Sequence, residues 1–320
     1  MDQPGHREVE HQIDVNAPAA TVHRMIEAVE DWPNLFPPTV HVDRFERSGT
    51  QERIRIWAFA NGEVKTWTSR RVLDPERLRI EFRQEVPAAP VAAMGGTWIV
   101  EPAGDAASTV RLLHDYRAAG DDPEKLAWIE RAVDGNSQAE LAALKAGAEA
   151  AAGTGEPPVH TFEDSVVVNG TMGEVAGPVY DFLNEAKLWE ERLPHVSRVD
   201  LTEDTPGLQL LEMDTKAKNG STHTTKSVRV CFPQHTIVYK QIGLPALLTL
   251  HTGIWRVAAD GPSGVRVTSS HTVAINTANI TAVLGADAGV PEARDFVRDA
   301  LGTNSLATLR HAKEYAENRP

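Results

Sequence analysis

Chemistry concentrates in the stretch from Val64 to Leu73. Side chains alternate along a strand, so Lys65, Trp67, Ser69, Arg71 and Leu73 share one face, and Val64, Thr66, Thr68, Arg70 and Val72 the other. A guanidinium stays charged at any working pH and offers a planar fork of donors. Arg71, with the Ser69 hydroxyl beside it, could therefore hold an oxyanion or a carbonyl. The plainer alternative is that this face is polar because it meets water, which is the commoner case for such a pattern. A strand in the second half of the chain answers it with different chemistry: His223, Thr225, Ser227 and Arg229 share a face. Counted along the chain, His223 stands where Trp67 does, Ser227 where Arg71 does, and Arg229 one pleat later. A histidine both takes and gives a proton near neutral pH, as removal of a hydroxyl requires, so His223 is the acid–base candidate. His195, His251 and His271 lack metal-ligand spacing, and an isolated strand histidine is more often structural. No nucleophile elbow, Walker or Rossmann fingerprint falls at a strand-to-helix turn, so nothing points to a nucleotide, phosphate or metal cofactor.

These residues belong to a pattern written twice. Trp32 and Trp189 stand 157 residues apart (189 minus 32), and so do Trp98 and Trp255. Val42-Asp43 is matched by Val199-Asp200, and Asn136-Ser137 by Asn304-Ser305, each opening a closing helix. Internal repeats at fixed spacing imply repeated architecture. The glycines and prolines between Ala150 and Val159 end a helix and mark a linker. The expected domains are residues 1–152 and 160–320.

Within the first unit, alternation at Val9, His11, Ile13 and Val15 predicts a strand. Asn16-Ala17-Pro18 predicts a helix start, with Asn16 as cap and Pro18 in the first turn, running through Val29. A short helix spans Trp32 to Phe36. Strands follow near 40–47, 52–60, 63–73, 77–85, 93–101 and 108–118, with Asn61-Gly62 as a tight hairpin turn. A helix over about 122–150 closes the unit, with Leu126, Ile129, Val133, Leu141 and Leu144 on its apolar stripe. The second unit repeats this order and closes with a helix over about 291–317. The fold class is α+β: a tandem duplication of an antiparallel meander wrapped around a long helix, with a cavity between them wherever the facing side chains do not fill it.

With 320 residues, the chain is long enough for two cores. Its net charge of −13 argues against a nucleic-acid partner. A single cysteine, Cys231, excludes an internal disulfide, and no apolar run approaches membrane length. The polar start lacks the pattern of a signal peptide, so a cytoplasmic protein is expected.

Asn16-Ala17-Pro18, then Trp32-Pro33-Asn34-Leu35-Phe36, Trp67-Thr68-Ser69-Arg70-Arg71, Trp98 and Asn136 together resemble the aromatase/cyclase family of bacterial type II polyketide synthases. That family has the helix-grip (START, Bet v 1-like) fold, and the duplication resembles its di-domain members. The resemblance implies a deep pocket in which a poly-β-ketone borne on an acyl carrier protein folds. An intramolecular aldol and a dehydration then give an aromatic ring. For di-domain members it implies a chain already reduced at one ketone and closure between the seventh and twelfth carbons. It implies no cofactor, and as partners the acyl carrier protein and other synthase subunits. Carried over residue by residue, it makes Arg71 the essential pocket arginine and Ser69 a pocket hydroxyl. Trp32, Phe36, Trp67 and Trp98 become the aromatic wall, and Asn136 the polar helix position. Trp189, Trp255 and Asn304 are their counterparts in the second unit, joined there by Thr225. Where single-domain members carry a pocket tyrosine, this chain has Thr39, so proton delivery falls to another group.

Three further expectations follow. The first unit closes the ring and the second dehydrates it through His223. Arg71→Ala leaves the fold intact, because a polar strand position tolerates truncation. Residues 44–83, with ten Lys and Arg against six Asp and Glu, offer a basic surface for an acidic carrier. Two other readings of the same fold are a non-catalytic carrier of a hydrophobic molecule and a module without a ligand.

Overall fold

The structure is a computed structural model and describes residues 6–60, 62–87, 89–153, 159–216, 220 and 222–318. The chain divides into two compact units, the second beginning at Val159. In the first, β1 (His6–Val15) leads to α1 (Ala19–Glu27) and α2 (Trp32–Leu35). Six strands follow: β2 (Thr39–Ser48), β3 (Gln51–Ala60), β4 (Glu63–Asp74), β5 (Arg79–Gln84), β6 (Val91–Pro102) and β7 (Ser108–Ala118). The closing helix is α3 (Pro123–Gly153). The second unit runs β8 (His160–Asn169), α4 (Met172–Asn184), α5 (Trp189–Arg192), β9 (Val196–Thr205), β10 (Leu208–Lys216), β11 (Thr222–Phe232), β12 (Thr236–Gly243), β13 (Leu248–Ala259) and β14 (Gly264–Ile275). It ends with α6 (Ile280–Leu284) and α7 (Val290–Glu317).

Each unit builds one seven-stranded antiparallel sheet, ordered β1-β7-β6-β5-β4-β3-β2 and β8-β14-β13-β12-β11-β10-β9. The first strand of each unit thus pairs with its last, and the meander fills the rest. The long helix packs against those strands: α3 on β1 and β7, α7 on β8 and β14. The stripe Leu126, Ile129, Val133, Leu141 and Leu144 is buried along α3, which is what a one-faced helix on a sheet requires.

Two local expectations are corrected. Asn16 does not cap α1; Pro18 occupies that position without a side-chain bond, and the Asn16 N–H donates to Glu149 Oε1 at 2.9 Å. The helix ends at Glu27, and Val29 lies in a separate 3₁₀ turn, Val29–Asp31. The hairpin turn brings Ala60 opposite Glu63 with Gly62 at φ +83°, a left-handed value that favours glycine; Asn61 itself lies outside the described residues.

The polar face of β4 points inward. Ser69, Arg71 and Leu73 are buried while Arg70 and Val72 are exposed, so the water-facing reading of that face is wrong. The correspondence between β4 and β11 also changes. Arg71 lies opposite Glu52 and Phe82 in its sheet, and Arg229 lies opposite Gln209 and Tyr239 in the other. Arg229 is therefore the counterpart of Arg71, Ser227 of Ser69, Thr225 of Trp67 and His223 of Lys65. From Glu52 to Arg71 the chain advances 19 residues and from Gln209 to Arg229 it advances 20, so β11 stands 158 residues after β4, and a count that sets His223 at Trp67 falls two residues short.

Candidate active site

In the first unit both terminal nitrogens of Arg71 are hydrogen-bonded within the protein. Arg71 Nη1 donates to Glu52 Oε1 at 2.8 Å, and Nη2 donates to the Ile26 carbonyl at 2.8 Å. The Glu27 carbonyl lies 3.4 Å from Nη1. These two carbonyls close the last turn of α1, where a helix leaves its C=O groups without intrahelical partners. The guanidinium also sits 5.2 Å above the Trp32 ring. Both side chains of the ion pair are buried, at 2% and 0% exposure, and Glu52 is held from its other side by Arg44 Nε at 2.8 Å. Burial lowers the Arg71 pKa to about 10, against the opposing pull of Glu52, so it remains charged at neutral pH. Arg71 thus fastens α1 to the sheet as a neutralised cation. Its replacement by alanine would leave Glu52 with its burial only partly compensated, so the premise that this is a strand position tolerant of truncation does not hold.

The neighbouring residues of this unit pack against one another. Phe36 lies between Trp32 (5.4 Å, edge-on) and Trp98 (6.4 Å, stacked) in the apolar core beneath α3. Trp67 packs beside Val29, Val42, Ile54 and Ile56. Ser69 Oγ donates to the Arg83 carbonyl at 3.2 Å. Asn136 is exposed on α3, whereas the adjacent Ser137 is buried, 3.4 Å from His114 Nδ1. The basic run over 44–83 is largely balanced in place: Arg44 pairs with Glu30, Arg47 with Glu27, Arg53 with Glu46 and Glu85, Arg79 with Glu81, and Arg83 with Asp115.

The second unit keeps the scaffold and changes the chemistry. A cavity of about 130 Å³ lies between α7 and the sheet. Its walls include Trp189, Thr225, Trp255 and Asn304, together with Ser227, Arg229, Tyr239, His251 and His271. His223 lines it too, and is exposed, so it stands where the cavity meets solvent. Arg229 repeats the geometry of Arg71: Nη2 donates to the Leu183 carbonyl at 2.6 Å, and the guanidinium lies 5.1 Å above Trp189. Its Nη1, however, is buried without a hydrogen-bond partner. The residue opposite is Gln209, whose Nε2 donates to the Asn184 carbonyl at 3.2 Å and to Glu203 Oε2 at 2.8 Å.

Three further polar groups meet on the sheet wall. Tyr239 Oη lies 3.0 Å from His271 Nδ1 and 3.4 Å from His251 Nε2, and the two ring nitrogens are 3.0 Å apart. Ser269 Oγ lies 3.2 Å from His271 Nε2. Burial lowers the His271 pKa to about 4 and holds His251 well below the usual imidazole value, with the neighbouring ring adding to the effect on His251. Both rings are neutral at pH 7. Burial raises the Tyr239 pKa, so its phenol keeps its proton. The register gives their counterparts in the first unit as Phe82, Met94 and His114, so only one of the three polar groups is present there. Gly253 makes the cluster possible: a Cβ on it would stand 2.2 Å from Tyr239 Cζ and Oη. The sequence reading passed over Tyr239, and set His251 and His271 aside as isolated, because they lie on three separate strands. The 157-residue repeat pairs Tyr239 with Phe82 and His251 with Met94, and that pairing was the available clue.

A family model described as polyketide cyclase/dehydrase and lipid transport matches residues 6–149. Over 94% of its length the chain is 50% identical to the granaticin polyketide synthase bifunctional cyclase/dehydratase of Streptomyces virginiae, of which it covers 97%. It is 46% identical to the actinorhodin polyketide synthase bifunctional cyclase/dehydratase of Streptomyces coelicolor, with 98% of both chains covered. Among solved structures, the di-domain ARO/CYC BexL from the BE-7585A biosynthetic pathway matches with a TM-score of 0.90 and 60% identity, over 98% of this chain and all of that one (100%). The di-domain ARO/CYC StfQ from the steffimycin pathway matches with a TM-score of 0.87 and 34% identity, over 97% of this chain and 99% of that one. Among the described residues no helix is long and apolar enough to cross a membrane.

Proposed function

Starting from the fact that this chain belongs to the bifunctional cyclase/dehydratases of type II polyketide synthases, with two helix-grip units, we propose that the dehydration that aromatises the first ring takes place in the cavity of its second unit. The substrate is a ketoreduced poly-β-ketone borne on an acyl carrier protein, and the ring closes between the seventh and twelfth carbons. The observation that carries this reading is the meeting of Tyr239, His251 and His271 on one wall of the cavity between α7 and the sheet.

Dehydration of a β-hydroxy ketone breaks a C–H bond beside the carbonyl and a C–O bond one carbon further on. It needs a base for the proton and an acid for the departing hydroxyl, which leaves as water. A neutral imidazole accepts a proton through its free lone pair, and a phenol donates one. With Tyr239 3.0 Å from His271, a proton taken by the ring can be passed on within the same cluster, and the site is restored when water leaves. The wall of Trp189 and Trp255 keeps a flat, largely apolar ring in place, where positioning lowers the barrier. The exposed His223 stands at the entrance, within reach of the part of the chain that leads back to the carrier. In the first unit, Phe82 and Met94 cannot transfer protons, which leaves His114 as the single proton-transfer group of the three, and Arg71 is neutralised.

The test is reconstitution with a minimal polyketide synthase and a ketoreductase, the products being read by mass spectrometry and NMR. Tyr239→Phe should release cyclised product heavier by one water. Unchanged product from this variant would refute the reading.

A further inference from the structure

The two units contain the same buried arginine in two electrostatic states. On β4, Arg71 faces Glu52 across the strand pair and forms a 2.8 Å ion pair. On β11, Arg229 faces Gln209 at the same register position. The helix carbonyl and the tryptophan under the guanidinium are common to both, at 2.8 Å from Ile26 and 5.2 Å from Trp32 in one, and 2.6 Å from Leu183 and 5.1 Å from Trp189 in the other. What the second unit lacks is the carboxylate. Among the described residues none comes within ion-pair distance of Arg229. Glu203, the carboxylate whose field still reaches it, is bonded to Gln209 Nε2 and to the Gly207 N–H.

A buried cation without a counter-ion is costly, and a protein interior normally pairs it. Here the residue lines a cavity and leaves Nη1 without a partner. We infer that Arg229 is the oxygen-binding cation of the second cavity, left available because Gln209 replaces the carboxylate that neutralises its counterpart, and that it takes the enolate oxygen of a 1,3-dicarbonyl group. Gln209 is then a positioning residue: it fills the place of Glu52 and ties Asn184 to Glu203 without supplying charge. The inference rests on the reading of this cavity as the reaction site, and it assigns the oxygen of the reacting group to one side chain. When the C–H bond between two carbonyls breaks, its proton leaves to a base and the electron pair spreads onto the carbonyl oxygens. A fixed guanidinium that is itself buried favours that charge far more than one in bulk water does.

Acetylacetone, the smallest enolisable 1,3-diketone, tests this without turnover. Its enolate is read by near-ultraviolet absorbance as the full-length protein is titrated into it at pH 7. Wild-type protein should raise the enolate fraction saturably. Gln209→Glu, which copies the arrangement that the first unit already folds with, should weaken the signal about tenfold or more, as loss of a charge-assisted bond implies. Gln209→Met, similar in size but uncharged, should retain it, and Arg229→Met should lose it. Equal signals from wild type, Gln209→Glu and Arg229→Met would overturn the inference. Equal loss in Gln209→Glu and Gln209→Met would overturn it too, since Gln209 would then matter only for packing. Failure of the wider reading shows elsewhere, as unaltered product from Tyr239→Phe in the reconstituted system.

Discussion

Arg71 and Arg229 occupy the same register position in two copies of one strand, yet Arg71 faces Glu52 and Arg229 faces Gln209. One buried cation is neutral with its partner, and the other carries its charge to a cavity wall. The pairing of Arg71 with Glu52 has a direct consequence for stability. Arg71→Ala should lower unfolding free energy by about 3–5 kcal/mol, because it leaves a buried carboxylate short of its nearest cation. Arg71→Met combined with Glu52→Gln should cost clearly less, since neither charge then remains alone. Chemical denaturation of the two variants measures the difference.

Gly253 should control Tyr239. Gly253→Ala puts a methyl group where the phenol ring lies, at 2.2 Å from Cζ and Oη, so the ring must move away from His271. Dehydration should fall about as far as in Tyr239→Phe, on the order of 10²-fold or more for loss of a proton-transfer group. Combining the two substitutions should add little, since both remove the same contact. Single-turnover assays of the three variants test this.

Most of the architecture could be read from the chain, because alternation and the apolar stripe of α3 are local patterns. The Trp32–Trp189 and Trp98–Trp255 spacing also disclosed the duplication. The site was less legible. Arg71 looked like a free pocket cation because its partner Glu52 lies on the neighbouring strand, and no local pattern announces a buried ion pair. Arg229 looked displaced because the count along the chain falls two residues short of the sheet register, which sets Arg229 opposite Gln209 as Arg71 is set opposite Glu52. Tyr239, His251 and His271 meet only through pairing across β12, β13 and β14.

Stability should fall in mild acid through the buried histidines. In the folded protein the pKa values of His114 and His271 are lowered to about 4 from 6.5, chiefly by burial. Between those values the unfolded chain binds more protons, so stability is complete above about pH 6.5 and is lost as pH falls towards 4. Each group contributes about 3 kcal/mol at most. Thermal unfolding of wild type should weaken from pH 7 to pH 5, and a variant carrying His114→Asn and His271→Asn should show a flatter dependence over that window. An equal slope in both would contradict the assignment.

The central claim, that dehydration belongs to the second cavity, is tested most directly by the mass of the product from the reconstituted pathway with Tyr239→Phe against a first-unit variant, Phe82→Tyr. Phe82→Tyr adds a hydroxyl where the first unit has none and should leave the dehydrated aromatic product unchanged. Tyr239→Phe should accumulate a cyclised product one water heavier. Full dehydration by Tyr239→Phe would contradict the account.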